Sequence, residues 1–225
     1  MIVSHEHRFI FVKTRKTAGT SIEVFLARLL GPDAVVTPVI PPVPGHLPRN
    51  HSAPFNPLPQ MLHERRIRPA LADLRQRRTY WNHMPATRIR ERVGARVWDS
   101  YFKFCFERDP WDKVVSWYWF LRWTVPDLPF DRFVLTQELP TDFPLYSIDG
   151  RMAMDAVGRF EHVHDDLTAI LAKIGVDEPV ELPREKTARP GERDTPTVFT
   201  PELDAHVARV FAREIAEFGY PDRSR

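Results

Sequence analysis

Lys16, Thr17, Thr20 and Ser21 fall close together in Thr14-Arg15-Lys16-Thr17-Ala18-Gly19-Thr20-Ser21. One amine and three hydroxyls at that spacing form a donor set for an anion with several oxygens, such as phosphate or sulfate. A second cation, Arg108, follows in Phe104-Cys105-Phe106-Glu107-Arg108-Asp109-Pro110-Trp111, with Ser116 further on. Between them lies His83, in Thr79-Tyr80-Trp81-Asn82-His83-Met84-Pro85. Its reference pKa of about 6.5 suits proton transfer near neutrality.

These residues need elements to hold them. Phe9-Ile10-Phe11-Val12 is a short apolar run and reads as a buried strand. A helix follows the hydroxyl-rich loop. Thr20 and Glu23 have capping-box spacing, Ile22, Phe25, Leu26 and Leu29 recur at helical spacing, and Gly31-Pro32 stops the run. The first N–H groups of such a helix lack intrahelical partners, and its dipole favours an anion there. The lysine precedes the only glycine of the loop, so the motif is not a Walker A sequence. On these residues alone, a basic surface turn before an ordinary capped helix stays open as the alternative.

Val97 to Phe106 is the strongest strand signal, rich in β-formers with few polar interruptions, as in a strand buried on both faces. Asp109 and Pro110 then fit the N-cap and first position of a helix carrying Val114, Val115, Tyr118 and Leu121. Arg108 therefore sits at the C-terminal end of a strand, where open α/β sheets bind ligands. Ser116 lies about two helical turns on, a rise of roughly 12 Å. Thr79 to His83 reads as a short strand ending at a polar tip. Met84-Pro85 turns the chain into a helix from Ala86 to Val93, closed by Gly94.

The remaining segments carry weaker signals. Residues 37–60 are proline-rich and predict a long loop, a lid or acceptor-site element, in which His46 and His51 read as solvated. Arg65, Arg66, Arg68, Arg75, Arg77 and Arg78 make a basic stretch, most simply a solvated face. Asp149-Gly150 is a hairpin signal, and a helix follows from Asp165 or Asp166 to Gly175. His162 and His164 lack a third metal ligand nearby. A mobile basic loop containing Lys186 and Arg189 is expected before a last helix, which Thr200 caps and Pro201 begins.

Composition narrows the class. The 225 residues suit one α/β domain spanning the whole chain, and 43% hydrophobic content is enough for its core. A net charge of only +2 gives little support for nucleic-acid binding. The single cysteine, Cys105, excludes an internal disulfide and reads as buried packing. Met1 to Glu6 reads as polar, with neither a signal peptide nor a membrane-length apolar run, so a cytoplasmic protein is expected.

The two cation-bearing strand–loop–helix units together resemble the PAPS-dependent sulfotransferases, in particular the carbohydrate-type branch with bacterial members. PAPS is 3′-phosphoadenosine 5′-phosphosulfate. Lys16 to Ser21 is similar to the family's 5′-phosphosulfate loop, and Phe104 to Ser116 to its 3′-phosphate motif. Gly158-Arg159-Phe160-Glu161 and Phe218-Gly219-Tyr220 add to the likeness. Two positions depart from the pattern: Arg15 stands where proline is usual, and Glu107 where valine is frequent. The resemblance implies an α/β, P-loop-like three-layer fold with a central parallel sheet flanked by helices. It implies sulfuryl transfer from PAPS to a hydroxyl or amine of a glycan or small-molecule acceptor, without a metal. Lys16 would then neutralise the leaving oxygen, and Arg15, Thr17, Ala18, Gly19, Thr20 and Ser21 would surround the 5′ end. Arg108 and Ser116 would hold the 3′-phosphate, Lys186 or Arg189 would close over the nucleotide, and His83 would serve as general base. A structural His83 capping the next helix is the alternative. Two other functions fit the same residues: a small-molecule kinase with a divergent P-loop, and a non-catalytic anion- or glycan-binding protein.

Overall fold

A computed structural model describes residues 1–53, 55–56, 58, 67, 71, 74–75, 79–122, 124, 126–183 and 198–224. Lys186, Arg189 and most of the arginine-rich stretch lie outside these residues.

The centre is a five-stranded sheet. β1 (Ile2–Ser4), β2 (Phe9–Phe11), β3 (Val35–Val36), β4 (Phe102–Glu107) and β7 (Ala156–Arg159) take the order β3-β1-β2-β4-β7. β2 and β4 pair in parallel, as do β4 and β7. β1 runs antiparallel to both its neighbours, β2 and β3. The central sheet is therefore mostly parallel, with one antiparallel strand that the expectation of a parallel sheet did not include. Four strands share a direction and β1 opposes them. The signal for β1 was slight: Ile2-Val3 is only two apolar residues, yet both are fully buried.

Period-two alternation sends side chains to two cores. Phe9, Phe11, Phe104 and Phe106 pack under α1 (Gly19–Arg28) and α7 (Val163–Lys173), through Ile22, Phe25, Leu26, Leu167 and Ile170. Ile10, Val12 and Cys105 point the other way, onto Met84, Ile89, Trp98 and Tyr146. These belong to or adjoin α2 (Ala86–Val93), α3 (Ala95–Ser100) and the short α6 (Phe143–Tyr146). Helices thus cover both faces. A third cluster joins α4 (Pro110–Leu121), α5 (Phe130–Thr136) and α8 (Pro201–Val210), with Trp111, Tyr118, Phe133, Val207 and Phe211 at its centre. α9 (Ala212–Phe218) follows a break at Phe211, where a single last helix was expected.

Several local expectations hold. Asp109 accepts from the N–H of Asp112, Pro110 opens α4, and Thr200 caps α8. Asp149-Gly150 turns the hairpin of β5 (Ser147–Ile148) and β6 (Arg151–Met152), both residues at positive φ. Cys105 is buried.

Others are corrected. Thr20 does not cap α1. The helix begins at Gly19, its N-cap is Ala18, and Glu23 is drawn inward to Lys13 Nζ at 2.6 Å. Ion pairing with a buried amine outcompetes a solvent-side capping box. Val97 to Ser100 is helical, so the strand starts at Phe102. Thr79 to His83 forms no strand, for Tyr80 donates its N–H to the His51 carbonyl instead of joining the sheet. The proline-rich segment begins as a packed strap. Val39 and Val43 cluster with Val24 of α1, and Arg49 donates to the carbonyls of Ala27 and Leu30. His46 is buried there, not solvated.

Candidate active site

The chain between β2 and α1 forms a cradle. Lys16 and Ala18 both have positive φ, at 62° and 58°. Such reversals turn successive N–H groups toward one point, a recognised anion-binding concavity. Ala18 has no side chain with which to cap α1, so the first N–H groups of that helix keep their donor capacity. Gly19 is required by packing: a Cβ there would lie 2.8 Å from Lys13 Cγ and 3.2 Å from the Thr14 carbonyl oxygen.

The Thr17 hydroxyl has a partner inside the loop. Thr14 Oγ1 donates to the Phe106 carbonyl, and Thr17 Oγ1 lies 2.8 Å from Thr14 Oγ1. Thr14 has one proton and uses it on Phe106, so Thr17 donates to Thr14. What Thr17 offers an anion is its backbone N–H. Thr20 is half-buried and Ser21 is buried at the first turn of α1.

Arg108 leaves the end of β4 and reaches this loop. Its Nη1 donates to the Lys16 carbonyl at 3.0 Å, its Nε donates to Asp112 Oδ2 at 2.7 Å, and its guanidinium stacks 3.8 Å from the centre of the Phe160 ring. Arg108 is 5% exposed. Phe160 belongs to the Gly158–Glu161 segment, and Glu161 accepts the N–H of Asp109 at 2.7 Å. Gly158 lets β7 lie against Phe106, since a Cβ would come within 2.3 Å of that ring. Ser116 is half-buried on α4, one turn beyond Asp112. A turn further, Phe120 is 43% exposed and stacks on Trp117, and Lys16 Nζ lies 4.6 Å from its ring centre.

His83 approaches from the opposite end of the loop. It has φ 57°, and its Nδ1 lies 3.0 Å from the Lys13 carbonyl oxygen. A carbonyl only accepts, so Nδ1 carries the proton and Nε2 holds the lone pair. Burial, reinforced by the Lys13 ammonium, lowers its pKa to about 4, so the imidazole is neutral at pH 7. The near-neutral value expected from sequence shifts accordingly.

The structure thus brings Lys16, Arg108 and His83 onto one loop. The Arg15 guanidinium is engaged beside it, with Nε 2.7 Å from Asp142 Oδ1 and Nη2 2.7 Å from the Thr141 carbonyl. Sequence reasoning missed Asp142, Lys113 and Asp112, and named Phe160 only within the Gly158–Glu161 likeness. Lys113 did leave a trace, as a charge amid the apolar positions of α4. It is fully buried. Asp142 left none.

Residues 1–125 match the Sulfotransferase family. The chain belongs to that family. The matched stretch contains Lys16, His83, Arg108 and Ser116, while Asp142 and Gly158 lie beyond it. The chain is also 36% identical over 106 residues to an uncharacterized protein of Archaeoglobus fulgidus, covering 44% of this chain and 88% of that one. No solved structure matches. Among the described residues, no helix is long and apolar enough to cross a membrane.

Proposed function

We propose that this sulfotransferase moves a sulfuryl group from PAPS to a hydroxyl or amine of a glycan or small-molecule acceptor, by in-line displacement. The observation that carries the reading is the convergence of Arg108 and His83 on the carbonyls at the two ends of Lys13–Lys16. A buried arginine fork and an uncapped helix start, one strand apart, suit a ligand with an anion at each end. PAPS, when bound, supplies an activated sulfuryl group and a bisphosphate leaving group.

The chain's own residues then divide the work. The backbone N–H groups of Thr17 to Ser21 hold the 5′ oxygens, and Thr20 and Ser21 add hydroxyl donors. Lys16, whose ammonium lies beside Phe120, reaches the bridging oxygen and offsets the charge that develops as its bond to sulfur breaks. Arg108 and Ser116 hold the 3′-phosphate and fix the nucleotide along its length, which supplies most of the positioning. His83 Nε2 accepts the acceptor's proton as the new S–O or S–N bond forms, while Nδ1 stays anchored on Lys13. Lys186 or Arg189 adds a further cation to the nucleotide. Phe120, exposed beside Lys16, borders the acceptor side, and residues 37–60 contribute to acceptor choice.

Incubation with PAPS and a library of glycans and small hydroxylated acceptors, followed by mass spectrometry, tests the reading. A product heavier by one sulfuryl group is expected. Its absence, together with no binding of adenosine 3′,5′-bisphosphate, would overturn it.

A further inference from the structure

A second connection between the two phosphate loops runs behind the site. Asp142, at the start of α6, takes the backbone N–H of Arg15 on Oδ2 at 2.6 Å and the Arg15 Nε on Oδ1 at 2.7 Å. The same Oδ2 is 2.9 Å from Lys113 Nζ on α4. Lys113 Nζ also donates to Glu107 Oε2 at 2.8 Å. That oxygen in turn accepts the backbone N–H of Arg108 at 3.1 Å. The path therefore begins on the backbone of one loop and ends on the backbone of the other.

Its three inner members are all deeply buried: Asp142 and Lys113 are 0% exposed and Glu107 is 1% exposed. Burial favours the neutral carboxyl of Glu107 and raises its pKa, while Lys113 draws it back. Burial alone would lower Lys113, but Asp142 and Glu107 outweigh it and raise its pKa, so Lys113 is charged. Behind Asp142, Glu214 is satisfied by the backbone N–H groups of Asp142 and Phe143. Ions this deep are costly unless each is matched. Arg15 and Lys113 match Asp142 and Glu107.

Building on the nucleotide reading above, we propose that Asp142, Lys113 and Glu107, with Arg15 at one end, form a charge-matched staple that sets the spacing between the 5′- and 3′-phosphate loops. Arg15 and Glu107 are on this account positioning residues, acting through the loops they hold and not through contact with the nucleotide. A ligand that engages both loops depends on the spacing. A ligand that engages only the 5′ loop does not.

Charge matching makes the staple testable by a double-mutant cycle. Arg15→Gln leaves Lys113 between two carboxylates. Glu107→Gln leaves Asp142 between two cations. The two substitutions together leave a matched Asp142–Lys113 pair. Affinity for adenosine 3′,5′-bisphosphate and for 5′-AMP is measured by calorimetry at about pH 8, above the value of about 7 to which burial raises Glu107. Melting temperature is recorded on the same samples. Each single variant should bind the bisphosphate about tenfold more weakly, the double variant should return to within about threefold of wild type, and 5′-AMP affinity should barely change. Additive losses in the double variant would overturn the proposal. So would equal losses for both nucleotides that track the melting temperature, because a purely structural network predicts them. If a single variant fails to fold, its rescue by the second substitution supports the staple, and a double variant no better folded than the worse single overturns it. Wild-type protein that binds neither nucleotide overturns the nucleotide reading itself, and the inference with it, a result distinct from additivity.

Discussion

The Arg108 guanidinium donates from Nη1 to the carbonyl oxygen of Lys16, 3.0 Å away across 92 positions of sequence. The contact joins the ends of two parallel strands, β2 and β4. It leaves the side chain of Lys16 outside the bond, near Phe120, while its backbone is fixed. The Arg108 guanidinium is thereby tied to the loop's backbone, while the Lys16 ammonium lies against the Phe120 ring.

Arg108→Ala should remove most of the preference for adenosine 3′,5′-bisphosphate over 5′-AMP. A charge-assisted hydrogen bond contributes about 1.5–3 kcal/mol, a factor of roughly ten to a hundred in affinity. Calorimetry with both nucleotides reads the preference directly. Equal affinities in the wild type would refute the assignment of Arg108 to the 3′-phosphate.

His83→Ala should leave bisphosphate affinity near the wild-type value, while turnover falls by about 10²–10⁴. Protonation removes the Nε2 lone pair, so the wild-type rate should rise with pH through a folded-state pKa of about 4 and be flat at neutrality. A pH–rate profile of both proteins checks this. A stable variant with unreduced turnover would exclude His83 as the base.

Lys16→Ala should retain bisphosphate binding by the backbone cradle but lose turnover by at least about a hundredfold, because its charge is needed only as the leaving oxygen develops. A fall in KM affinity with kcat unchanged would instead assign Lys16 to ground-state binding.

Stability should depend on Glu23 in acid. Burial alone would raise its pKa, but the Met1 amine and Lys13 outweigh burial and hold it at about 2, below its ordinary 4.5. A depressed carboxyl stabilises the fold above the unfolded value, and the contribution is lost as pH falls from about 4.5 toward 2. The lost term is on the order of 3 kcal/mol. Thermal melts over that window should show the decline, and Glu23→Gln should flatten it while lowering stability at neutral pH. An identical acid slope in the variant would contradict the assignment.

Gly158→Ala should destabilise the protein by about 1–3 kcal/mol through overpacking against the Phe106 ring. Combining it with Phe106→Leu should recover part of that loss, as measured by denaturant melts.

Much of the site was legible locally. Asp109 before Pro110 announced the start of α4, and with it the place of Arg108 at a strand end. The apolar run before Lys16 announced β2. Both signals lie within a few residues of the feature they predict. The failures involve distant partners. Thr20 and Glu23 have sound capping-box spacing, yet Lys13 claims Glu23, because a buried ion pair left unmatched costs more than a surface cap contributes. Tyr80 and Trp81 are β-formers, but Tyr80 donates its N–H to the His51 carbonyl and not to a strand.

The sequence by itself determined two buried strands of the sheet, the starts of α4 and α8 and the bounds of α2, and which cations follow strand ends. These follow from backbone geometry and from side chains bonding to their own neighbourhood, so a few residues suffice to specify them. Only the tertiary structure decided that β1 runs against the other strands, that His83 shares a loop with Lys16 through the Lys13 carbonyl, and that Arg15 and Glu107 lie at opposite ends of a path through Asp142 and Lys113. Each is a pairing across tens of residues, selected when burial strips water from polar groups and leaves them only one another to satisfy.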